Sequence, residues 1–398
     1  MKMFATLLTA LFFTLGIQEQ ARAQAAPNVG NSPNTIVFIG DSITAFGNAL
    51  ATGQSETYGW GWTAQAVFLS GGRIQQLYNA GVPGQTSTQI EARFATDVIA
   101  YNPATVNIMA GTNDATNPSF SAANLATTIG NLKSMIIMAK AAGIQPILCT
   151  IPPRSDAANY NLNAQKINAA IHQLAQAQKI LLVDFYSILV DPTTGVYKSG
   201  YDLADGIHPS AAAAKAMAQF YVTATANLFG PAQESIVATA GDGTNLIPNA
   251  LFLTSTVAWT ASNYGTSPAP TYAVITDPSI SGNWFSITFP PATAVGQSYS
   301  VNGPPLIVTS GHHMAYSFKF KISGLQENGG YLNMGYGYGA SNFTYGYLTD
   351  TVGTFYMEFT APSSTFTPGF FVYPTPTSSN IQLEIAQISL VDLTELGF

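Results

Sequence analysis

The chain has 398 residues, 47% hydrophobic and 12% aromatic but only 8% charged, with 13 basic against 20 acidic residues and a net charge of −7. That balance argues against a nucleic-acid-binding role and against electrostatic attachment to acidic membranes, both of which depend on clustered Lys and Arg. The length exceeds one ordinary domain and calls for two or three, and solubility falls to Ser, Thr, Asn, Gln and Gly, a surface suited to an exported protein.

The first residues agree with export. Lys2 precedes an apolar core from Met3 to Ile17, and Ala21-Arg22-Ala23 stands before Gln24. This pattern predicts a signal peptide over residues 1–23. Its core is shorter than the roughly 20 residues a membrane span needs, and no later stretch is long enough, so no integral membrane segment is expected in the mature chain. Cleavage removes Lys2, Arg22 and Glu19, leaving 11 basic and 19 acidic residues, a net charge of −8. The mature protein is expected to be secreted or periplasmic. Residues 24–34 read as a disordered lead-in.

From Thr35 to Gly230 short apolar runs alternate with helical segments. Strands are predicted at Thr35–Ile39, Ile74–Tyr78, Thr105–Ala110, Pro146–Ile151 and Ile180–Phe185. Helices are predicted near 58–70, 87–100, 121–142, 160–178 and 210–228. This alternation implies βαβ crossovers and a parallel sheet covered on both faces. The sole cysteine, Cys149, falls in one of these strands and reads as an inert buried thiol.

After Gly230-Pro231 helical periodicity stops. A linker is expected over 231–244 and a β-sandwich over 245–398, rich in Gly, Ser, Thr, Pro and aromatics. His313–Ile322 alternates cleanly, with Met314, Tyr316, Phe318, Phe320 and Ile322 on one face and Lys319 and Lys321 on the other. Trp284–Phe289, Phe355–Thr360, Phe370–Tyr373 and Ile381–Val391 read as further strands.

The first strand ends in Gly40-Asp41-Ser42, which presents a serine at the carboxyl end of the sheet, where open α/β sheets bind ligands. A serine hydroxyl is a weak nucleophile and needs a base, an acid to orient that base, and donors for an oxyanion. The chain has four histidines. His172 falls off the apolar stripe Ile167, Ile171 and Leu174 of its helix and is expected to face solvent. His312 and His313 are neighbours entering a strand and point to opposite faces, a poor metal pair. His208 remains, in Asp205-Gly-Ile-His208-Pro-Ser, a tight loop that can bring the Asp205 carboxylate to one ring nitrogen while the other faces outward. Asp202 is the reserve for that acid.

Two further loops sit where oxyanion donors belong. Asn79-Ala-Gly-Val-Pro-Gly84-Gln-Thr-Ser follows the second strand and can offer a glycine N–H, and Gly111-Thr-Asn113-Asp114 follows the third and can offer a side-chain amide. For each loop alone, turn chemistry is the better explanation.

Together, Gly40-Asp41-Ser42-Ile43, the Gly84 loop, Gly111-Thr-Asn113-Asp114 and Asp205-Gly-Ile-His208 resemble the blocks of the SGNH, or GDSL-type, hydrolase family over residues 35–230. That resemblance implies a three-layer α/β/α flavodoxin-like domain with a parallel sheet. It implies Ser42 as nucleophile, His208 as base and Asp205 as its orienting acid. The Ser42 N–H, Gly84 N–H and Asn113 amide would form the oxyanion hole. No metal or organic cofactor is implied. Asp41 and Asp114 read as loop-bracing carboxylates. Gly84 fits the family's spacing better than Gly81.

Residues 245–398 resemble galactose-binding-like jelly-roll modules, through Asn245-Leu-Ile-Pro-Asn-Ala-Leu-Phe252, Trp259 and the final Ile388–Asp392 strand. Tyr331, Tyr336, Tyr338, Tyr345 and Tyr347 cluster in a Gly-rich stretch and either stack on sugar rings or serve as core and loop residues. The expected function is a secreted serine esterase acting on acyl esters, above all acetyl esters of a carbohydrate. Two alternatives stand beside it. One is a lipolytic or aryl-ester hydrolase, or an acyltransferase, acting on small esters. The other is a non-catalytic carbohydrate-binding or adhesion protein.

Overall fold

The computed structural model describes residues 33–46, 61–231, 243–253, 258–294, 297–324, 331–336, 350–361, 363–374 and 379–397. The expected signal peptide, most of the lead-in and of the 231–244 linker, and Tyr338, Tyr345 and Tyr347 lie outside these residues.

Strands β1 (Thr35–Gly40), β2 (Gln75–Gly81), β3 (Thr105–Met109), β4 (Gln145–Cys149) and β5 (Leu181–Val183) form a five-stranded sheet in the order β2-β1-β3-β4-β5. Every pairing in it is parallel. The uniformly buried run of β1 explains why it shows no polar-apolar alternation, while β3 is buried throughout although Thr105 and Asn107 alternate with Val106 and Ile108. After β1 the chain turns to β2 on one side and then crosses back to β3 on the other. The carboxyl ends of β1 and β3 therefore flank the crevice where strand order reverses.

The helices are α1 (Ser42–Ala45), α2 (Trp62–Leu69), α3 (Ser87–Ala92), α4 (Phe94–Asp97), α5 (Ala122–Ala141), α6 (Ala158–Gln178), α7 (Phe185–Leu189) and α8 (Ala211–Ala224). α2 packs on α8, while α5 packs on α3 and α6, so both faces of the sheet are covered. The helix predicted over 87–100 is interrupted at Arg93 and Val98, whose backbones leave helical values. Arg93 at the first break is anchored to the end of β1, as described below. Cys149 is buried with its Sγ 2.9 Å from Asn107 Oδ1, and burial pushes the thiol well above its ordinary range, as expected of an inert core residue.

The second half is all β. Strands β6 (Thr260–Tyr264), β7 (Thr271–Thr276), β8 (Asn283–Phe289), β9 (Ser298–Asn302), β10 (Leu306–Ile307), β11 (His313–Ser323), β12 (Tyr331–Tyr336), β13 (Thr351–Thr360), β14 (Thr365–Phe366), β15 (Pro368–Tyr373) and β16 (Ile381–Asp392) follow in order. Two antiparallel sheets, β13-β11-β16-β8-β7 and β12-β15-β9-β6, bury one shared core, and β10 pairs with β14. In β11, Met314, Tyr316, Phe318, Phe320 and Ile322 turn into this core. Strands β6 and β7, which the sequence did not suggest, are largely exposed, so neither needs an alternation between an apolar and a polar face. Among the described residues no helix is long and apolar enough to cross a membrane.

The two halves share α2. Its residues from Trp62 to Phe68 are buried on every side, the mark of a helix held between two cores. Trp62, Ala66 and Val67 belong to the α/β core, where the Trp62 ring meets Phe38, Phe185 and Tyr221. Ala64 and Phe68 belong to the β core, with the Phe68 ring 5.2 Å from Phe320 and 5.6 Å from Phe355. Lys215 on α8 adds a bond from Nζ to the Asp350 carbonyl at 2.8 Å. Phe68→Ala opens a cavity in this seam and is expected to cost about 3–5 kcal/mol of unfolding free energy. Urea denaturation followed by tryptophan fluorescence checks this, since Trp62 lies on one side of the seam and Trp259 and Trp284 on the other. A chain ending at residue 244 exposes the same helix face and is expected to melt below the full-length protein.

Candidate active site

Ser42 is the first residue of α1, directly beyond β1. Asp41 caps that helix, its Oδ1 accepting the Ile43 N–H at 3.0 Å. The Ser42 N–H, at the start of the helix, has no intrahelical acceptor. Asn79 pins α1 from β2, donating through Nδ2 to the Thr44 carbonyl at 2.8 Å and to Thr63 Oγ1 at 3.1 Å.

Ser42 Oγ lies 2.9 Å from His208 Nε2, and His208 Nδ1 lies 2.6 Å from Asp205 Oδ2. The other Asp205 oxygen accepts the Ile207 N–H at 2.8 Å and the His208 N–H at 2.9 Å. The Asp-x-x-His loop is therefore closed on its own carboxylate. Burial opposes ionisation of Asp205, but the His208 side chain and these two backbone donors outweigh it and hold the carboxyl below its ordinary range. Asp202 bridges to Pro209 through its backbone, and the carboxylate bonded to the imidazole is that of Asp205. Phe46, just past α1, lays its ring against the His208 imidazole at 4.6 Å between centroids.

The other histidines have partners of their own. His172 is half exposed and 3.3 Å from Asp184 Oδ2. His312 and His313 diverge as their strand positions imply, His312 to Asp392 at 2.8 Å and His313 to Glu358 at 3.0 Å. Among the described residues the one group with the donor set for a metal is His312, Asp392 and Glu395, in the β region.

The loops of Gly84 and Asn113 meet through Gln85, the residue directly after Gly84. Asn113 Nδ2 donates one proton to the Gln85 carbonyl at 2.9 Å, which fixes the amide plane and leaves its second proton to point elsewhere. Gly84 has φ 77°, a left-handed backbone that favours glycine. The Gly81 N–H is taken by Asn79 Oδ1 at 2.9 Å, which removes Gly81 as a candidate donor to a ligand.

One tying residue, Arg93, was not singled out from sequence, whereas Asp114 was. The Arg93 guanidinium donates to the Gly40 carbonyl at 2.9 Å, to Gln85 Oε1 at 2.6 Å and to Asp97 at 2.7 Å, joining the first loop to the second. Asp114 joins the third loop to α3 and α5, accepting the Ser87 N–H at 2.8 Å, Ser87 Oγ at 2.6 Å and Thr128 Oγ1 at 2.9 Å. Asp114 thus braces its loop, and Asp41 caps α1.

Asp41 is buried, and desolvation raises its carboxyl from 3.8 to about 7, with the Ile43 N–H pulling the other way and the Asp114 carboxylate adding to the rise. The unfolded chain releases this proton near pH 4 and the folded protein near pH 7. Between these values the folded state binds more protons, so rising pH removes stability there and nothing further is lost above it. Asp41→Asn keeps the capping oxygen without the charge. Its stability relative to wild type is expected to rise by on the order of 4 kcal/mol between about pH 4 and pH 8, read from urea unfolding at a series of pH values.

Residues 38–216 match the model of the GDSL-like lipase/acylhydrolase family. An acetylxylan esterase of Geobacillus stearothermophilus is 38% identical over 93 residues, covering 21% of this chain and 41% of that protein. The match thus spans less than half the length of this curated relative. Among solved structures, a GDSL-like lipase of Bacteroides thetaiotaomicron is 30% identical, with a TM-score of 0.42, over 53% of this chain and 95% of that one. A catalytic mutant of an acetylxylan esterase from Geobacillus stearothermophilus is 26% identical, with a TM-score of 0.41, over 49% of this chain and 95% of that one. Through residues 38–216, the chain belongs to the GDSL-like lipase/acylhydrolase family of ester hydrolases.

Proposed function

We propose that the protein is a secreted serine esterase that removes acyl groups, above all acetyl groups, from a carbohydrate. The observation that carries the reading is the unbroken chain from Ser42 Oγ through His208 to Asp205, with contacts of 2.9 and 2.6 Å, in the crevice at the carboxyl ends of the sheet. His208 Nε2 takes the Ser42 proton as Oγ bonds to the ester carbonyl carbon. The carbonyl oxygen becomes an oxyanion, held by the Ser42 N–H, the Gly84 N–H and the second Asn113 amide proton. The bond to the leaving alcohol breaks as His208 returns the proton to that alcohol, leaving the acyl group on Ser42. Water then attacks the acyl-enzyme, giving its proton to His208, and the carboxylic acid leaves as the proton returns to Ser42. Asp205 stays ionised throughout and fixes the imidazole with its Nδ1 proton inward.

The similarity to an acetylxylan esterase and the export pattern support a carbohydrate ester as substrate. A second reading, hydrolysis of lipid or aryl esters, is favoured by the Phe46 ring against His208, an apolar wall beside the reacting groups. Chain-length profiling separates the two, since preference for octanoyl over acetyl aryl esters rejects the first. The expected result is turnover of aryl acetates and release of acetate from acetylated xylan by wild type, with both lost in Ser42→Ala. Asn113→Ala is expected to fold normally and to lose about 10²–10³-fold in kcat. Full activity in Ser42→Ala contradicts the mechanism.

A further inference from the structure

Arg154 follows β4 in Pro152-Pro153-Arg154, and only 1% of it is exposed, in a chain where 8% of residues are charged. Its Nη1 donates to the carbonyl of Thr112, the residue directly before Asn113, at 2.8 Å. Its Nε and Nη2 grip both oxygens of Asp156 at 2.9 and 2.6 Å. The segment 154–156 in turn lies against the loop of the base. Ser155 donates its N–H to the Gly206 carbonyl at 2.8 Å. Gly206 has φ 72°, and a Cβ there would sit 2.4 Å from the Asp156 nitrogen, so the two backbones touch. The far side of the arginine is fixed as well, its own N–H bonded to Asn161 Oδ1 at 3.0 Å and its guanidinium 5.5 Å from the Tyr160 ring.

One guanidinium therefore stands between the residue before Asn113 and the residue after Asp205. A buried ion pair contributes little stability beyond what apolar packing of the same volume supplies, so stability does not account for a charge at this place. Geometry does. The planar fork fixes two partners in one plane, as a lysine cannot. We infer that Arg154 is a positioning residue that sets the separation between the Asn113 amide and the His208–Asp205 pair, an inference that rests on the esterase reading above. A displacement of about 1 Å between such groups costs up to about 10²-fold in rate.

The test is a double-variant cycle on an aryl acetate, using full-length protein. Arg154→Lys keeps the charge and loses the fork. It is expected to lower kcat about 10–100-fold, with KM changed less than about threefold. If Arg154 acts through the oxyanion donor, Arg154→Lys in an Asn113→Ala background is expected to cost less than about twofold more. A merely structural role gives losses that multiply, and that result overturns the inference, as does undiminished kcat in Arg154→Lys. Should Arg154→Lys fail to fold, Asp156→Asn breaks the same fork from the other side. The same cycle then applies, with non-multiplying losses supporting the inference and multiplying losses overturning it. Wild type inactive on every ester refutes the esterase reading itself, whereas active wild type with multiplying losses refutes only the role of Arg154.

Discussion

A single hydrogen bond, from Ser42 Oγ to His208 Nε2, joins residues 166 positions apart, and the α/β half is arranged to keep it. Neither partner is held by its own strand alone. Ser42 is fixed by the Asp41 cap and by Asn79 beneath α1, and His208 by a carboxylate whose second oxygen is bonded to the loop's own backbone. The loops that carry Gly84 and Asn113 are tied to these by Arg93, Gln85, Asp114 and Arg154. Most of these ties end on a backbone carbonyl or N–H. Such ties fix loop position directly, because a backbone group cannot rotate away as a side chain can.

The β half is joined to this arrangement through a shared helix. Because α2 gives Trp62 to one core and Phe68 to the other, the second core is completed by a residue from the first half. Such a seam differs from the polar interfaces of tethered domains, which permit relative motion. It suits a β region fixed beside the hydrolase, and it makes single substitutions a cleaner probe of that region than its removal.

Much of the parallel sheet could be read from sequence because buried parallel strands are plain apolar runs, as in Thr35–Ile39, and because the long helices α5 and α6 carry sustained periodicity. Local motifs were legible for the same reason. Asp205 and His208 lie within one turn, so their pairing is written into one short loop. What could not be read was set by tertiary contact. The interruption at Arg93 has no glycine or proline to announce it, and β6 and β7 are exposed edge strands whose residues do not alternate between a core and a solvent face. Arg154 looks like any basic loop residue until Thr112 and Asp156 close around it. Its one sequence clue is a charge at the carboxyl end of a core strand in a chain poor in charge. The double duty of α2 is likewise invisible in a short segment that is buried on all sides and mixes Thr63 and Gln65 with apolar residues.

Formation of a covalent acyl intermediate on Ser42 is the central claim. Incubation with a fluorophosphonate ester, followed by proteolysis and mass spectrometry, reads this most directly. The expected result is one phosphonyl adduct, on the peptide containing Ser42, with labelling and esterase activity lost in parallel and no adduct in Ser42→Ala. Full inactivation with the adduct on another residue, or undiminished activity in protein fully labelled at Ser42, would contradict it.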